Sequence, residues 1–363
     1  MTRHAYIHAL KLILFQFDPE DVHDRFISVG ERLGRSPFLK NVVSRSWSFA
    51  HPSLVQTIRG ITFPNPIGLS AGFDKNAQLT DNLPSLGFGF AELGSVTGEP
   101  CAGNPRPRLW RLPKSKSLLV YYGLKNDGCE AIAARLNGRA FQIPMGISVA
   151  KTNSPDTVDV EKGIQDYAKA FRALANIGSY LTINISCPNA FGGEPFTDPD
   201  RLERLLTGID RIPTQKQIFL KLSPDLTLTQ LDAILDTVSR HRVHGFICSN
   251  LTKNRENSRI IEITVPKNGG LSGKVVDGLA DSQLTYIAKR VGTTYTLIAS
   301  GGVFSAEDAY RKIRLGASLV QLITGMIFQG PQLIGEINRG LVRLLERDGF
   351  KNISEAVGVD AQS

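Results

Sequence analysis

The sequence predicts an α/β fold, a (β/α)8 TIM barrel with a small N-terminal helical cap, on three observations. Eight short apolar runs follow one another from about residue 67, amphipathic stretches lie between them, and polar residues collect where the runs end. Each run is nearly continuous in apolar residues, as parallel strands buried on both faces require. Strand and helix alternating strictly eight times point to a closed barrel rather than a small open sheet. The 363 residues, 42% hydrophobic, suffice for one barrel of roughly 250 to 300 residues and an appendage. The cap is expected over 1–50 and the barrel over 51–363.

In chain order, the run ALKLILFQF (9–17) reads as a first helix, stopped at Asp18-Pro19. Pro19 suits the first turn of a second helix, with Asp18 as its N-cap and Glu20 and Asp21 adding favourable negative charge. Its apolar residues Val22, Phe26, Val29 and Leu33 recur at helical spacing, and Gly34 closes it. These two helices make the cap. The eight strand runs are 67–72, 90–97, 143–150, 180–189, 218–224, 245–250, 295–302 and 319–325. Helical stretches are expected at 162–177, 228–241, 279–291, 306–315 and 333–345.

Composition narrows the function. A net charge of +8 and a pI near 9.3 favour anionic partners: a phosphate, a carboxylate or an acidic membrane surface. The charge is spread along the chain with no basic run or finger motif, which disfavours nucleic acid. The four cysteines are scattered and the six histidines lack metal spacing, so neither a disulfide scaffold nor a metal site is expected. No run reaches the roughly 18 to 20 apolar residues that span a bilayer. Residues 9–17 lack a small-residue cleavage site and read as an interfacial docking helix.

Catalytic groups of such barrels sit at the C-terminal ends of strands. Those ends carry Lys75, Ser95, Ser148, Asn184, Cys187, Asn189, Lys221, Ser249, Asn250 and Gly301-Gly302. Lys221, inside IFLKLSP, is costly to bury without an anionic partner. IASGGV (298–303) and LITGM (322–326) offer bare amides and Thr324 to an anion at the last two strands, where this fold cradles phosphate. FMN and a sugar phosphate both suit that cradle. In INISCPNA (183–190), Asn184 and Asn189 present amides able to pair with a planar imide or a carboxylate. Cys187 lies between them, and within reach of Lys75 its thiolate would be stabilised as a proton acceptor. Cys101, Cys129 and Cys248 are expected as buried small hydrophobes.

AGFDK (71–75), ELGSVT (92–97), PRLWRL (107–112), NISCPN (184–189), LKLSPDL (220–226), SNLT (249–252), GGLSG (269–273), SGGV (300–303) and GASLVQLITGMIFQGP (316–331) together resemble the dihydroorotate dehydrogenase family from about residue 55 to the end. LFQFDPEDVHDRF is similar to the cap of its membrane-associated, quinone-using class. The resemblance implies FMN held by Ala71, Lys75, Ser95, Ser148, Asn184, Lys221, Ser249, Gly273, Gly302 and Thr324. It implies substrate held by Lys75, Asn184, Asn189 and Asn250, with His23 and Arg111 lining a quinone site. Cys187, aided by Lys75, would take the C5 proton of dihydroorotate while C6 gives hydride to the flavin. A quinone then reoxidises it, at a cytoplasmic, peripheral position on the inner face of a membrane.

Three departures from the family pattern stand out. Cys187 stands where quinone-using members place serine, and NISCPN with FGGEPFTDP is similar to the soluble classes. Val120, in VYYG, replaces a substrate-binding asparagine, whose loss leaves a polar group unpaired at about 1–3 kcal/mol. Ser148 and Ile323 replace an asparagine and a tyrosine near the flavin. Two alternatives therefore stand beside dihydroorotate oxidation: the same flavin barrel acting on a related dihydropyrimidine or other cyclic amide, and a non-catalytic flavin-binding barrel. Retention of Lys75, Cys187 and the asparagines speaks against the last.

Overall fold

In the computed structural model, which describes residues 3–361, the apolar runs become strands that close on themselves. They are β1 (Ile67–Leu69), β2 (Phe90–Val96), β3 (Met145–Val149), β4 (Tyr180–Asn184), β5 (Gln217–Leu222), β6 (Gly245–Cys248), β7 (Thr296–Ser300) and β8 (Leu319–Leu322). Among the described residues they form one closed parallel barrel in sequential order, β8 pairing back onto β1 through Val320–Ile67 and Leu322–Leu69. Every residue of β2, β3 and β4 is buried, which is why these runs lack polar alternation.

Helices Val160–Leu174, Pro199–Asp210, Leu228–Val238, Asp277–Val291, Ala306–Arg314 and Leu333–Asp348 wrap the outside. The alternation is not strict, however. Between β1 and β2 the chain makes only the 3-10 turn Leu83–Leu86. Pro84 and Gly87 interrupt helix there, and the buried Asp74 carboxylate instead accepts the backbone N–H groups of Gln78 and Leu79, each at 2.8 Å.

Each mouth of the barrel is covered. At the C-terminal end Leu109–Leu112, Ser117–Val120 and Gly270–Gly273 form a three-stranded antiparallel sheet, absent from the sequence reading. At the N-terminal end the hairpin Gln56–Ile58/Ile61–Phe63 packs Phe63 against Phe90, Tyr180, Phe219, Ile247, Ile298 and Leu319.

The cap has more helix than expected. After an irregular helical segment spanning 3–14, α1 (Pro19–Gly34) and α2 (Pro37–Trp47) follow. Asp18 caps α1 as expected, its Oδ1 accepting the N–H of Glu20 at 2.9 Å and of Asp21 at 3.1 Å. α2 is the unexpected helix; it starts at Pro37 with Ser36 accepting from Leu39 N.

The face of α1 that meets the barrel is also different from the apolar one read in the sequence. Glu20, Ile27, Gly30 and Gly34 are buried, whereas Phe26 and Val29 are 43% and 52% exposed. The two glycines explain the close approach: a Cβ at Gly30 would lie 2.6 Å from Leu79 Cδ2, and one at Gly34 3.2 Å from Asp81 Cβ. Glu20 anchors the helix. Its carboxylate accepts from Arg108 Nη2 at 2.8 Å, Arg106 Nε at 2.9 Å and Lys125 Nζ at 3.3 Å.

Candidate active site

One cavity opens at the C-terminal end of the barrel beneath the small sheet and the cap. Counting all the space out through its open mouth, it spans about 1250 Å³. Its lining takes Ala71 and Lys75 after β1, Ser95 on β2, Asn184 on β4, Cys187 and Asn189 after it, and Lys221 on β5. Ser249, Asn250, Gly273, Gly302 and Thr324 complete the expected set from the later loops. Two predicted residues lie behind the lining. Ser148 is fully buried and shares a 2.8 Å hydrogen bond with Ser95 Oγ. Arg111 is outside the cavity, donating from Nη1 to Phe17 O at 2.8 Å and covering the Phe15 ring. His23 does reach the cavity.

The asparagines are held in a chain of bonds. Asn184 Nδ2 donates to Ser95 Oγ at 2.9 Å, and Asn184 Oδ1 accepts from Ser186 N and Oγ at 3.1 and 3.0 Å. Asn250 Nδ2 donates to Ser186 O at 2.8 Å. Asn189 Nδ2 donates to Val120 O at 2.9 Å, while its Oδ1 is buried without a partner. Such an orphaned acceptor is expensive unless a ligand donates to it. The Val120 side chain adds no polar group, so at this position the cavity wall is apolar.

Lys221 has a protein partner that the sequence reading lacked. Glu92, fully buried on β2, places Oε1 3.6 Å from Lys221 Nζ. Glu92 Oε2 accepts from Thr182 Oγ1 and Gln321 Nε2, each at 3.1 Å. Lys221 also donates to Ser70 Oγ at 3.3 Å. Glu92 in FAELGSVT is, like Lys221, a charge inside an apolar strand.

Lys75 and Cys187 both line the cavity. Lys75 Nζ lies 3.2 Å from His23 Nε2 and 4.0 Å over the Tyr122 ring. Burial foremost, with Lys125 nearby, brings its amine down to about 8, and burial followed by Lys75 holds His23 well below its usual range. A neutral His23 can therefore accept from the Lys75 ammonium. The Cys187 thiol is pushed up to about 11, chiefly by burial, with Glu194 adding to the rise and the Asn189 backbone and Lys151 opposing it. Lys151 is a cation acting on the Cys187 thiol, and it shares the small space behind that residue.

Comparison with known proteins places the chain. The family model described as dihydroorotate dehydrogenase matches residues 53–345. The chain belongs to the dihydroorotate dehydrogenase family. A relative from Natronomonas pharaonis named dihydroorotate dehydrogenase (quinone) is 39% identical, covering 97% of this chain and 98% of its own. One of the same name from Roseiflexus castenholzii is 38% identical over 98% and 97%. A crystal structure of DHODH from Eimeria tenella in complex with ferulenol superposes with a TM-score of 0.81 at 28% identity, covering 95% of this chain and 96% of that one. In this dihydroorotate dehydrogenase-family chain, as in its solved relative, the fold is the barrel described above. The protein is an oxidoreductase acting on CH–CH bonds.

The residues present fit a flavin mononucleotide. The Ser249 hydroxyl is buried with no partner. Gly302, at φ +79°, has no room for a Cβ, which would lie 2.2 Å from Asp277 Oδ1, and Gly273, at φ +91°, would bring one to 2.9 Å from the Thr324 side chain. Thr324 Oγ1 is oriented by a 2.8 Å bond with Ser272 Oγ. Bare amides and a fixed hydroxyl at the ends of β7 and β8 suit a phosphate.

Proposed function

We propose that the protein oxidises dihydroorotate to orotate for pyrimidine biosynthesis, with FMN as its cofactor and a quinone as electron acceptor. The observation that carries this reading is the gathering of Asn184, Asn189, Asn250, Lys75 and Cys187 around one cavity beside Lys221 and the glycine loops. FMN would be held by Ala71, Ser95, Asn184, Lys221, Ser249, Gly273, Gly302 and Thr324, with Ser148 steadying Ser95 from behind. When bound, the flavin supplies the hydride acceptor.

The chain's own groups do the rest. Asn184, Asn189 and Asn250 orient the ring of the substrate through amide donors and acceptors. Lys75, mostly charged at neutral pH, faces the substrate carboxylate. The Cys187 thiolate takes the C5 proton, forming S–H as the C–H bond breaks, while the C6–H electron pair leaves as hydride. His23 and the cap helices border the cavity mouth, where a quinone would approach from a membrane surface. The apolar cap exterior supports a peripheral position on the inner face of that membrane; no described helix is long and apolar enough to cross one.

The test is an anaerobic titration. The purified protein is expected to be yellow, to bleach with dihydroorotate and to recover colour with a short-chain quinone, not with fumarate or NAD. A colourless protein refutes the flavin assignment. A yellow protein that dihydroorotate fails to bleach leaves the second reading, a related dihydropyrimidine or cyclic amide, which the apolar Val120 wall favours.

A further inference from the structure

Cys187 has two sides. One faces the main cavity; the other lines a small space with Lys151, Tyr167, Ala150 and Phe196. Lys151 follows β3 and is 3% exposed. Its ammonium donates to Phe191 O at 2.6 Å and Thr157 Oγ1 at 3.4 Å, both neutral acceptors. A buried ammonium held only by neutral atoms is costly unless a negative charge can form beside it. Cys187 is the group in that space able to supply one. Tyr167 spends its hydroxyl on Asn184 O at 2.7 Å, and Asp166, the other negative group acting on Lys151, acts on it less than Cys187 does and accepts from Thr152 N at 2.6 Å and Oγ1 at 2.7 Å. Glu194, at the far end of the loop, opposes a thiolate and itself faces Lys253, Ser223 and Asp225.

We infer that Lys151 is the positioning residue of Cys187: it pins the Cys187 loop at the Phe191 carbonyl and presents its positive charge to the thiolate from behind. The inference rests on Cys187 being the base. It accounts for how a thiol in a desolvated pocket is kept reactive: the ammonium opposes the rise that burial imposes, so more of the sulfur is ionised and able to accept the substrate proton than burial alone would leave. Lys75, on the cavity side, is left free for the substrate carboxylate.

The experiment follows carboxamidomethylation of Cys187 by iodoacetamide against pH in the flavin-loaded enzyme, resolved by peptide mass spectrometry, with buried Cys129 and Cys248 as internal references. Lys151→Gln keeps a donor for Phe191 O but removes the charge. It is expected to move the midpoint of the profile up by about one pH unit, a tenfold slower reaction below the midpoint. Lys151→Arg is expected to leave the midpoint within a few tenths of a unit. Glu194→Gln, on the opposite side, leaves Lys151 unopposed and moves the midpoint down, an arm that stands even where a Lys151 variant folds poorly. An unmoved midpoint in folded Lys151→Gln, or in Glu194→Gln, overturns the inference. Dihydroorotate is not in this assay, so a wrong substrate leaves the result readable. A shifted alkylation profile beside an unshifted profile of flavin bleaching supports the Lys151 charge and removes Cys187 from the role of base.

Discussion

Glu92 and Lys221 meet inside the barrel, on β2 and β5, with 0% and 3% of their side chains exposed. Two buried charges at this distance stabilise each other mainly by cancelling a desolvation penalty, so removing one partner costs more than the pair contributes. Lys221→Met is expected to destabilise the flavin-free protein by about 3–5 kcal/mol in urea unfolding, and Glu92→Gln by a similar amount. The double variant should fall well short of the sum; additive losses would show that the two charges do not couple. Lys75 and Cys187 give the site opposite responses to pH. With its amine at about 8, Lys75 is charged below that pH and loses its charge above it. Orotate affinity, read from flavin absorbance, should therefore weaken as pH rises past about 8. With its thiol near 11, Cys187 gains thiolate over the same range, so the bleaching rate at saturating dihydroorotate should rise. A binding curve flat from pH 7 to 9 would remove Lys75 from carboxylate recognition.

At the scale of elements, the joint between cap and barrel depends on Glu20 of α1. Burial would raise its carboxyl, yet the bonds from Arg108, Lys125 and Arg106 bring it down to about 2. The folded value lies below the ordinary 4.5, so the contribution is complete above about 4.5 and is lost as pH falls toward 2. Glu20→Gln leaves Arg108, itself 8% exposed, without its anion, and should cost about 3 kcal/mol or more at neutral pH. The loss should shrink on acidification; an equal loss at pH 7 and pH 3 would place the anchor elsewhere. The eight barrel strands were legible in the sequence because burial on both faces makes each a continuous apolar run. The sheet over the mouth was not, because its strands are only four residues long, too short for a period to register. Helical spacing in α1 gave an apolar face but not its direction. Gly30 and Gly34, which admit the barrel, carry no hydrophobic signal at all. Lys221 was legible as a charge in an apolar strand, whereas Lys151 sits in the polar KTN segment where a lysine is unremarkable.

For the molecule as a whole, that reversed face has a consequence. Phe26 and Val29 of α1 point away from the barrel together with Leu12, Ile13, Phe38 and Val42 of the neighbouring cap segments, all at least 43% exposed. Apolar side chains gathered on one appendage, on a chain of net charge +8, fit a surface that lies on anionic lipid, with the cavity mouth behind it bordered by His23. The same exposure means that these side chains do little for folding, so the two roles can be separated without deleting the cap. Leu12, Ile13 and Phe38 are 57%, 59% and 74% exposed. Changing all three to serine is expected to leave the thermal midpoint and bleaching by dihydroorotate essentially unchanged. Flotation with anionic phospholipid vesicles should weaken at least about tenfold, given about 1.5–3 kcal/mol for each large side chain fully withdrawn from water. Turnover of a long-chain quinone presented in vesicles should fall in parallel, while a short-chain quinone in solution should be reduced as before. Unchanged flotation would mean that this face meets something other than a membrane, and loss of both quinone activities together would show that the triple change had disturbed the cavity rather than the docking.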